Sequence, residues 1–382
     1  MHFQFTEEQA AIQETALTFA KERIAPFAAE WDEKEYFPVD VIKETAGIGM
    51  AAIYVPAAQG GSGLSRLDGA LIFEALAYGC PTISSYISIH NMVAWMVAKL
   101  GTKAQSAAWL PKLASMEWLS SYCLTEPGAG SDAAALKARA ERAGDHYILN
   151  GTKQFISGAG AVDLYFVFAR TGGEGAGGIS AFVVMKDTPG LSFGAKERKM
   201  GWNAQPTRQV IMENARVPAE NLVGGVEGQG FKLAMSGLDG GRINIGACSL
   251  GAAWAALDKG RQYLFERKAF GKNLADFQAL QFKIADMATD LEAARLMVYR
   301  GADALDRADP QATMYSAMAK RYATDLGFKI CDAALQIHGG YGYLKDFGLE
   351  KLVRDLRVHQ ILEGTNEIMR VVISRRVLGG NR

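Results

Sequence analysis

The sequence predicts an α+β fold, mainly α, built from an N-terminal helical domain, a middle antiparallel β domain and a C-terminal helical bundle. Three observations predict it. Apolar residues recur at helical spacing in residues 6–24, 67–78 and 90–100. Short β-rich runs, 147–149, 154–156, 164–169, 179–185 and 208–212, replace that texture in the middle of the chain. Beyond Gly228-Gln229-Gly230, the residues Leu280, Ile284, Met287, Leu291, Ala294 and Val298 alternate steps of four and three. That spacing lays one apolar stripe along a helix of roughly five turns, as in a helical bundle.

Taken in order, the breakers Pro56, Gly60, Gly61, Gly63 and Pro81 separate the first helices, and residues 1–118 form the expected helical domain. Asn150-Gly151 stands between two apolar triplets, which predicts a hairpin turn there. A glycine-rich turn, 172–178, joins two further strands, so residues 119–226 form the β domain. Residues 227–382 are helical. Within them, 232–265 carries Gly237, Gly240, Gly241, Gly246, Ala247, Gly251 and Ala252. Glycine in a helix interior costs about 1 kcal/mol per position. Either another helix or a ligand approaches closely there, or a loop precedes Arg242.

Composition narrows the function. With 382 residues and 49% hydrophobic content, the chain can bury large cores in two or three domains. Lys plus Arg and Asp plus Glu each number 41, so no basic surplus points to nucleic acid or an anionic membrane. Cys80, Cys123, Cys248 and Cys331 are widely spaced, with neither a Cys-x-x-Cys pair nor a His-Cys cluster, which argues against a disulfide framework, a structural zinc or any other metal site. His90, His338 and His359 lack metal-ligand spacing. The N-terminus has no secretory pattern and no uncharged run reaches the ~18 residues of a membrane span, so a soluble protein in a reducing compartment is expected. A bacterial cytosolic chain and a processed mitochondrial matrix chain would look alike.

Two segments could carry chemistry. Glu363, in Gln360-Ile361-Leu362-Glu363-Gly364-Thr365-Asn366-Glu367, has apolar neighbours on its N-terminal side that would raise its pKa toward that of a working general base. Gly364, with no β-carbon, would let a substrate reach the backbone. The competing reading is an ordinary helix entry capped by Thr365 or Asn366, with Glu363 solvated. The second segment, 122–132, ends an apolar stretch in a turn rich in glycine and hydroxyls, whose N–H groups with Thr125 and Ser131 could hold a flat polar ring or a phosphate. It is otherwise a connecting loop.

These segments, with Phe155-Ile156-Ser157-Gly158, Arg267-Lys268-Ala269-Phe270-Gly271-Lys272, Gln336-Ile337-His338-Gly339-Gly340 and Leu362-Glu363-Gly364-Thr365, resemble the acyl-CoA dehydrogenase family in order and over nearly the whole chain. The longer runs 62–68, 86–92, 240–245 and 357–364 bring it nearest to the short branched-chain branch. The resemblance implies a C-terminal four-helix bundle and an FAD enzyme that dehydrogenates a short branched-chain acyl-CoA, isobutyryl-CoA to methacrylyl-CoA in valine breakdown. Butyryl-CoA or 2-methylbutyryl-CoA is the alternative substrate; an oxidase or a catalytically dead scaffold of the same fold are the alternative functions. Glu363 would take the α-proton while hydride passes to flavin N5.

By the same resemblance, Tyr122, Cys123, Leu124, Thr125, Gly130, Ser131, Phe155, Ile156 and Ser157 line the isoalloxazine and ribityl side of FAD, with Thr365, Asn366 and Glu367 nearby. Arg267, Phe270, Gln278, Gln336, His338, Gly339 and Gly340 meet the adenosine diphosphate part across a subunit interface. Ser131, Asp239, Gly240, Gly241, Arg242 and Gly364 contact the thioester and coenzyme A. Physically, Arg267 suits phosphate pairing through its planar fork, or is a surface arginine beside Glu266; Asp239 and Arg242, three apart, could be a plain helical ion pair. The implied partners are an acyl-CoA, an electron-transferring flavoprotein as acceptor, and three further copies in a dimer-of-dimers homotetramer. Leu362 stands where many relatives have Tyr, and Ala269 where many have a hydroxyl.

Overall fold

The computed structural model describes residues 4–379, so the outermost ends of the expected first and last domains, 1–3 and 380–382, lie outside the described residues. The first third is helical: α1 (Glu7–Phe19), α2 (Ala28–Glu33), α3 (Val39–Glu44), α4 (Arg66–Gly79), α5 (Pro81–Leu100) and α6 (Lys103–Ala114). Thr6, Ser65 and Thr102 start α1, α4 and α6 with reciprocal capping boxes, so their first N–H groups are satisfied by side chains. Pro81 opens α5 at its first turn, where its fixed φ and missing N–H are tolerated. The helix expected over 90–100 therefore begins nine residues earlier.

The middle of the chain forms β1 (Ser120–Cys123), β2 (Arg139–Ala143), β3 (His146–Ser157), β4 (Leu164–Arg170), β5 (Ile179–Met185), β6 (Leu191–Phe193) and β7 (Thr207–Pro218). They make one sheet in the order β1-β4-β2-β3-β7-β6, with β5 also on β4. Most pairs are antiparallel, but β1 and β2 pair with β4 in parallel, so the sheet is mixed rather than antiparallel throughout.

The turn expected at Asn150-Gly151 is absent. β3 runs straight through it, and the hairpin reverses instead at Gly144-Asp145, where Gly144 has φ +67°. Gly151 sits in a β-bulge: the register against β7 shifts between Leu149 and Gly151, and at φ +138° an added Cβ would lie 2.7 Å from the Ala138 Cβ. Glycine there serves a close backbone approach rather than a reversal.

The remainder is α7 (Gly230–Glu266), a ribbon of β8 (Lys268–Ala269) and β9 (Lys272–Asn273), then α8 (Gln278–Asp306), α9 (Ala312–His338), α10 (Leu349–Arg357) and α11 (Asn366–Val377). The glycine-rich stretch is thus continuous helix, with no loop before Arg242. Its small residues admit neighbours: a Cβ on Gly251 would stand 2.0 Å from the Glu74 carbonyl oxygen of α4, and one on Gly246 3.2 Å from Val298 of α8. The stripe along α8 buries Met287, Leu291, Ala294 and Val298, leaving Leu280 and Ile284 half-buried.

β4 shows how the parts join. Tyr165, Val167 and Ala169 point into a core shared with α4, α7, α8 and α9, while Leu164, Phe166 and Phe168 point into a second core with α5 and α6. All seven of its residues are buried.

Candidate active site

Glu363 lies on the short connection between α10 and α11, in the left-handed region at φ +57°. Such a conformation in a non-glycine residue persists only where the surroundings enforce it. Here they do. Arg242 of α7 donates from Nε to the Glu363 carbonyl at 3.4 Å, and Lys320 of α9 donates from Nζ to the next carbonyl, of Gly364, at 2.9 Å. Thr365 then caps α11 through the Ile368 N–H.

The side chain turns toward Gly241 of α7, where an added Cβ would sit 2.5 Å from Oε2. Oε2 is buried and has no hydrogen-bond partner among the described residues. Burial pushes the Glu363 carboxyl up to about 7, against the opposing pull of Arg242 and Lys320. Burial likewise pushes the Lys320 ammonium down to about 7, with Glu363 resisting. The solvated helix-entry reading of Glu363 therefore fails, although the cap and first turn it foresaw are present.

Glu363 faces a cavity of about 370 Å³. The cavity gathers Tyr122, Leu124, Thr125, Gly130, Ser131, Phe155, Ile156, Ser157, Arg242 and Gly364 from the residues singled out in the sequence. The turn after β1 is closed by reciprocal Glu126 and Ala129 backbone bonds, and buried Lys153 ties it to β3 through the Glu126 carboxylate at 2.7 Å and the Leu124 carbonyl at 3.1 Å. Phe155 is 63% exposed at φ +59°, because the β3 register slips between Lys153 and Ile156 and re-aims the side chain outward.

A second cavity, of about 360 Å³, collects Arg267, His338, Gly339 and Gly340 beside Tyr263 and Tyr341. His338 stacks on Tyr263 with ring centroids 4.1 Å apart, and Arg267 lies over Tyr341 and in no ion pair among the described residues.

The other singled-out residues line neither cavity. Cys123 is fully buried in the sheet, and burial pushes its thiol far up, so it is packing filler. Asp239 holds Arg242 at 2.6 Å, Gly240 accommodates Arg66, and Asn366 is buried against α9. Glu367, Gln278 and Gln336 are exposed, and Phe270 is 94% exposed at the tip of the β8–β9 ribbon.

Sequence reasoning missed Ser85, Ser88, Ile89 and Met92, which line the cavity from one face of α5. Their spacing of i, i+3, i+4 and i+7 is a helical face and was legible; the serines on it were the sign of a cavity rather than a core. It also missed Trp202, at φ +57°, and Lys320. Lys320 is flanked at three and four residues on either side by the small buried Ser316, Ala317, Ala323 and Thr324, the one available hint of a buried charge.

Comparison with known proteins bears on this geometry. The chain matches the acyl-CoA dehydrogenase N-terminal, middle and C-terminal domains over residues 6–117, 121–215 and 228–378. A mitochondrial isobutyryl-CoA dehydrogenase from Bos taurus is 55% identical over 373 residues, 98% of this chain and 89% of the relative. Among solved structures, a chain from work on the electron transferring flavoprotein of Acidaminococcus fermentans is 40% identical with a TM-score of 0.97, covering 100% of both chains. Butyryl-CoA dehydrogenase from Megasphaera elsdenii is 38% identical with a TM-score of 0.96, over 99% of this chain and 100% of that one. With three domain matches in order and a relative of this identity over almost its full length, the chain belongs to the acyl-CoA dehydrogenase family of FAD-dependent oxidoreductases.

Proposed function

We propose that the chain dehydrogenates isobutyryl-CoA to methacrylyl-CoA, a step of valine breakdown, with Glu363 as the base that removes the α-proton. The observation that carries the base assignment is the buried, unpartnered Oε2 facing a cavity large enough for a short acyl group. A carboxyl with a pKa near 7 is matched to proton abstraction at neutral pH. The Glu363 N–H donates to no protein acceptor among the described residues, leaving it free for the thioester oxygen on which negative charge develops. The 55% identical isobutyryl-CoA dehydrogenase supports the acyl chain, and Leu362, shorter than Tyr and without its hydroxyl, leaves room for a branch.

The residues present fit FAD. Tyr122 Oη and Ser85 Oγ at the main cavity are buried without hydrogen-bond partners among the described residues, and Arg267, in no ion pair among them, presents its guanidinium to the second cavity. Residues 122–131 and 155–157 would hold the isoalloxazine and ribityl side, with 365–367 adjacent. Bound there, the flavin would supply the two-electron acceptor for the β-hydrogen, while Glu363 would take the α-proton as the Cα–Cβ double bond forms. The exposure of Phe270, Gln278 and Gln336 supports a second copy covering the adenosine diphosphate part, within a homotetramer. An electron-transferring flavoprotein would receive the electrons.

Anaerobic mixing of the holoenzyme with isobutyryl-CoA, butyryl-CoA and 2-methylbutyryl-CoA, followed by flavin absorbance, tests both parts. Glu363→Gln should bleach roughly 100-fold more slowly or slower still, the scale of a lost general base. Wild-type-like bleaching by this variant removes Glu363 from the role. A higher specificity constant for either competing thioester removes the isobutyryl assignment; the expected margin over 2-methylbutyryl-CoA, one methylene larger, is modest, about 1–3 kcal/mol.

A further inference from the structure

Lys320 is a charged residue with no place in the chemistry described so far, and it is 0% exposed. A buried ammonium is retained only where its hydrogen bonds and nearby charges offset its lost hydration. Its bonds run to one place. Nζ donates to the Gly364 carbonyl at 2.9 Å and to the Asn366 Oδ1 at 2.8 Å. Asn366 in turn donates from Nδ2 to Thr324 Oγ1 at 2.9 Å and to Asp325 Oδ1 at 2.8 Å, both one turn further along α9. The strained connection bearing Glu363 is thus fastened to the floor of the bundle from its C-terminal side, as Arg242 fastens it from α7.

We propose that Lys320 is a positioning residue for Glu363: its ammonium fixes the left-handed backbone at 363–364 and, as the charge beneath it, favours the carboxylate form over the neutral acid. This rests on Glu363 being the base. The charged and titratable groups that bear on Lys320 are Glu363 itself, Arg242 on α7, Asp325 on α9, Glu367 on α11 and His359 ahead of the connection. Burial pushes His359 down to about 3, so it stays neutral near pH 7. Arg242 is paired with Asp239, and Asp325 already accepts from Gln360 and Asn366. Lys320 is therefore the cation near Glu363 whose bonded partners among the described residues are Gly364 of the connection and Asn366, the first residue of α11.

Removing the charge raises the proton affinity of Glu363, so its carboxylate forms at higher pH. In Lys320→Met the acid limb of the flavin-reduction rate should move up by half a pH unit or more, while Lys320→Arg, which keeps the charge, should leave the limb near its wild-type position even if the rate falls. Infrared titration of the Glu363 carboxyl in the holoenzyme, isolated by subtracting Glu363→Gln, should show the same displacement without reference to turnover. A rate that drops uniformly with an unmoved limb and an unmoved carboxyl band would reduce Lys320 to a structural lysine and overturn the proposal. Wild-type-like reduction by Glu363→Gln in the same series would instead sink the base assignment, so the two failures are distinct. Where Lys320→Met does not accumulate folded, Lys320→Gln, which keeps a donor for the Gly364 carbonyl but no charge, carries the same readouts.

Discussion

At the scale of single residues, the site is a place where folding and chemistry pull in opposite directions. Glu363 is held at positive φ with an unpartnered carboxylate oxygen, and both features oppose stability. The sign with pH follows from its proton affinity, which burial raises from the ordinary 4.5 to about 7. The folded state binds this proton more tightly than the unfolded chain, so the stabilisation is full below about pH 4.5 and is lost as pH rises through about 7. At about 1.4 kcal/mol per unit, the loss amounts to roughly 3–4 kcal/mol. Glu363→Gln does not titrate. Its melting temperature should therefore approach the wild-type value near pH 5 and exceed it at pH 8; a difference that does not change between these two pH values would show that the carboxyl titrates alike folded and unfolded. Asp239 and Arg242 teach a related point, because the plain ion pair and the site residue proved compatible: the pair exists at 2.6 Å, and it aims Arg242 at the Glu363 carbonyl.

At the scale of elements, what the sequence made legible was periodic, and what it concealed was contact. The stripe of α8 needed only spacing, whereas the glycines of 232–265 left a loop before Arg242 open until the continuous helix closed it. Asn150-Gly151 misled because a local turn preference competed with a long strand whose second pairing partner, β7, lies far off in sequence; the bulge absorbed the glycine and Gly144 took the turn into β3 from its hairpin neighbour β2. Lys320 was hidden for the same reason, since its two acceptors are 44 and 46 residues away. Glu363 was legible because its apolar neighbours and the family resemblance over the rest of the chain pointed to the same residue, whereas the Arg242 and Lys320 clamps required coordinates. Gly251 offers a test of contact against propensity. Alanine in mid-helix gains about 1 kcal/mol over glycine, but its Cβ would stand 2.0 Å from the Glu74 carbonyl oxygen and 2.8 Å from the Ala77 Cβ. Backbone cannot step aside cheaply, and overpacking of this kind costs about 1–3 kcal/mol or more. Gly251→Ala should therefore be destabilised on denaturant unfolding, by up to roughly 2 kcal/mol net of propensity; a stabilised variant would mean that α4 and α7 can move apart.

At the scale of the whole molecule, the cavity lies where the β sheet meets helices from both ends of the chain, so its shape depends on how those parts are locked together. Apolar packing supplies most of the lock, through the two faces of β4, and buried charged groups bridge the same parts. Asp355 of α10 accepts from Lys351, from Thr82 of α5 at 3.0 Å and from the Trp202 N–H at 2.6 Å, joining all three regions at one carboxylate. Glu74 of α4, also 0% exposed, accepts from Arg295 of α8 at 2.6 Å and from the Tyr299 hydroxyl at 2.8 Å. The second knot lets this role be measured. Arg295→Leu leaves a fully buried carboxylate with only a neutral donor, and an uncompensated buried charge costs about 3–5 kcal/mol. Pairing it with Glu74→Gln removes the charge while the amide oxygen still accepts from Tyr299, so the double variant should regain most of that loss. The coupling should be visible in thermal unfolding as a double variant more stable than Arg295→Leu alone. If the two changes are instead additive, the α4–α8 contact is held by its apolar neighbours, and Arg295 screens Glu74 no better than the water that would replace it.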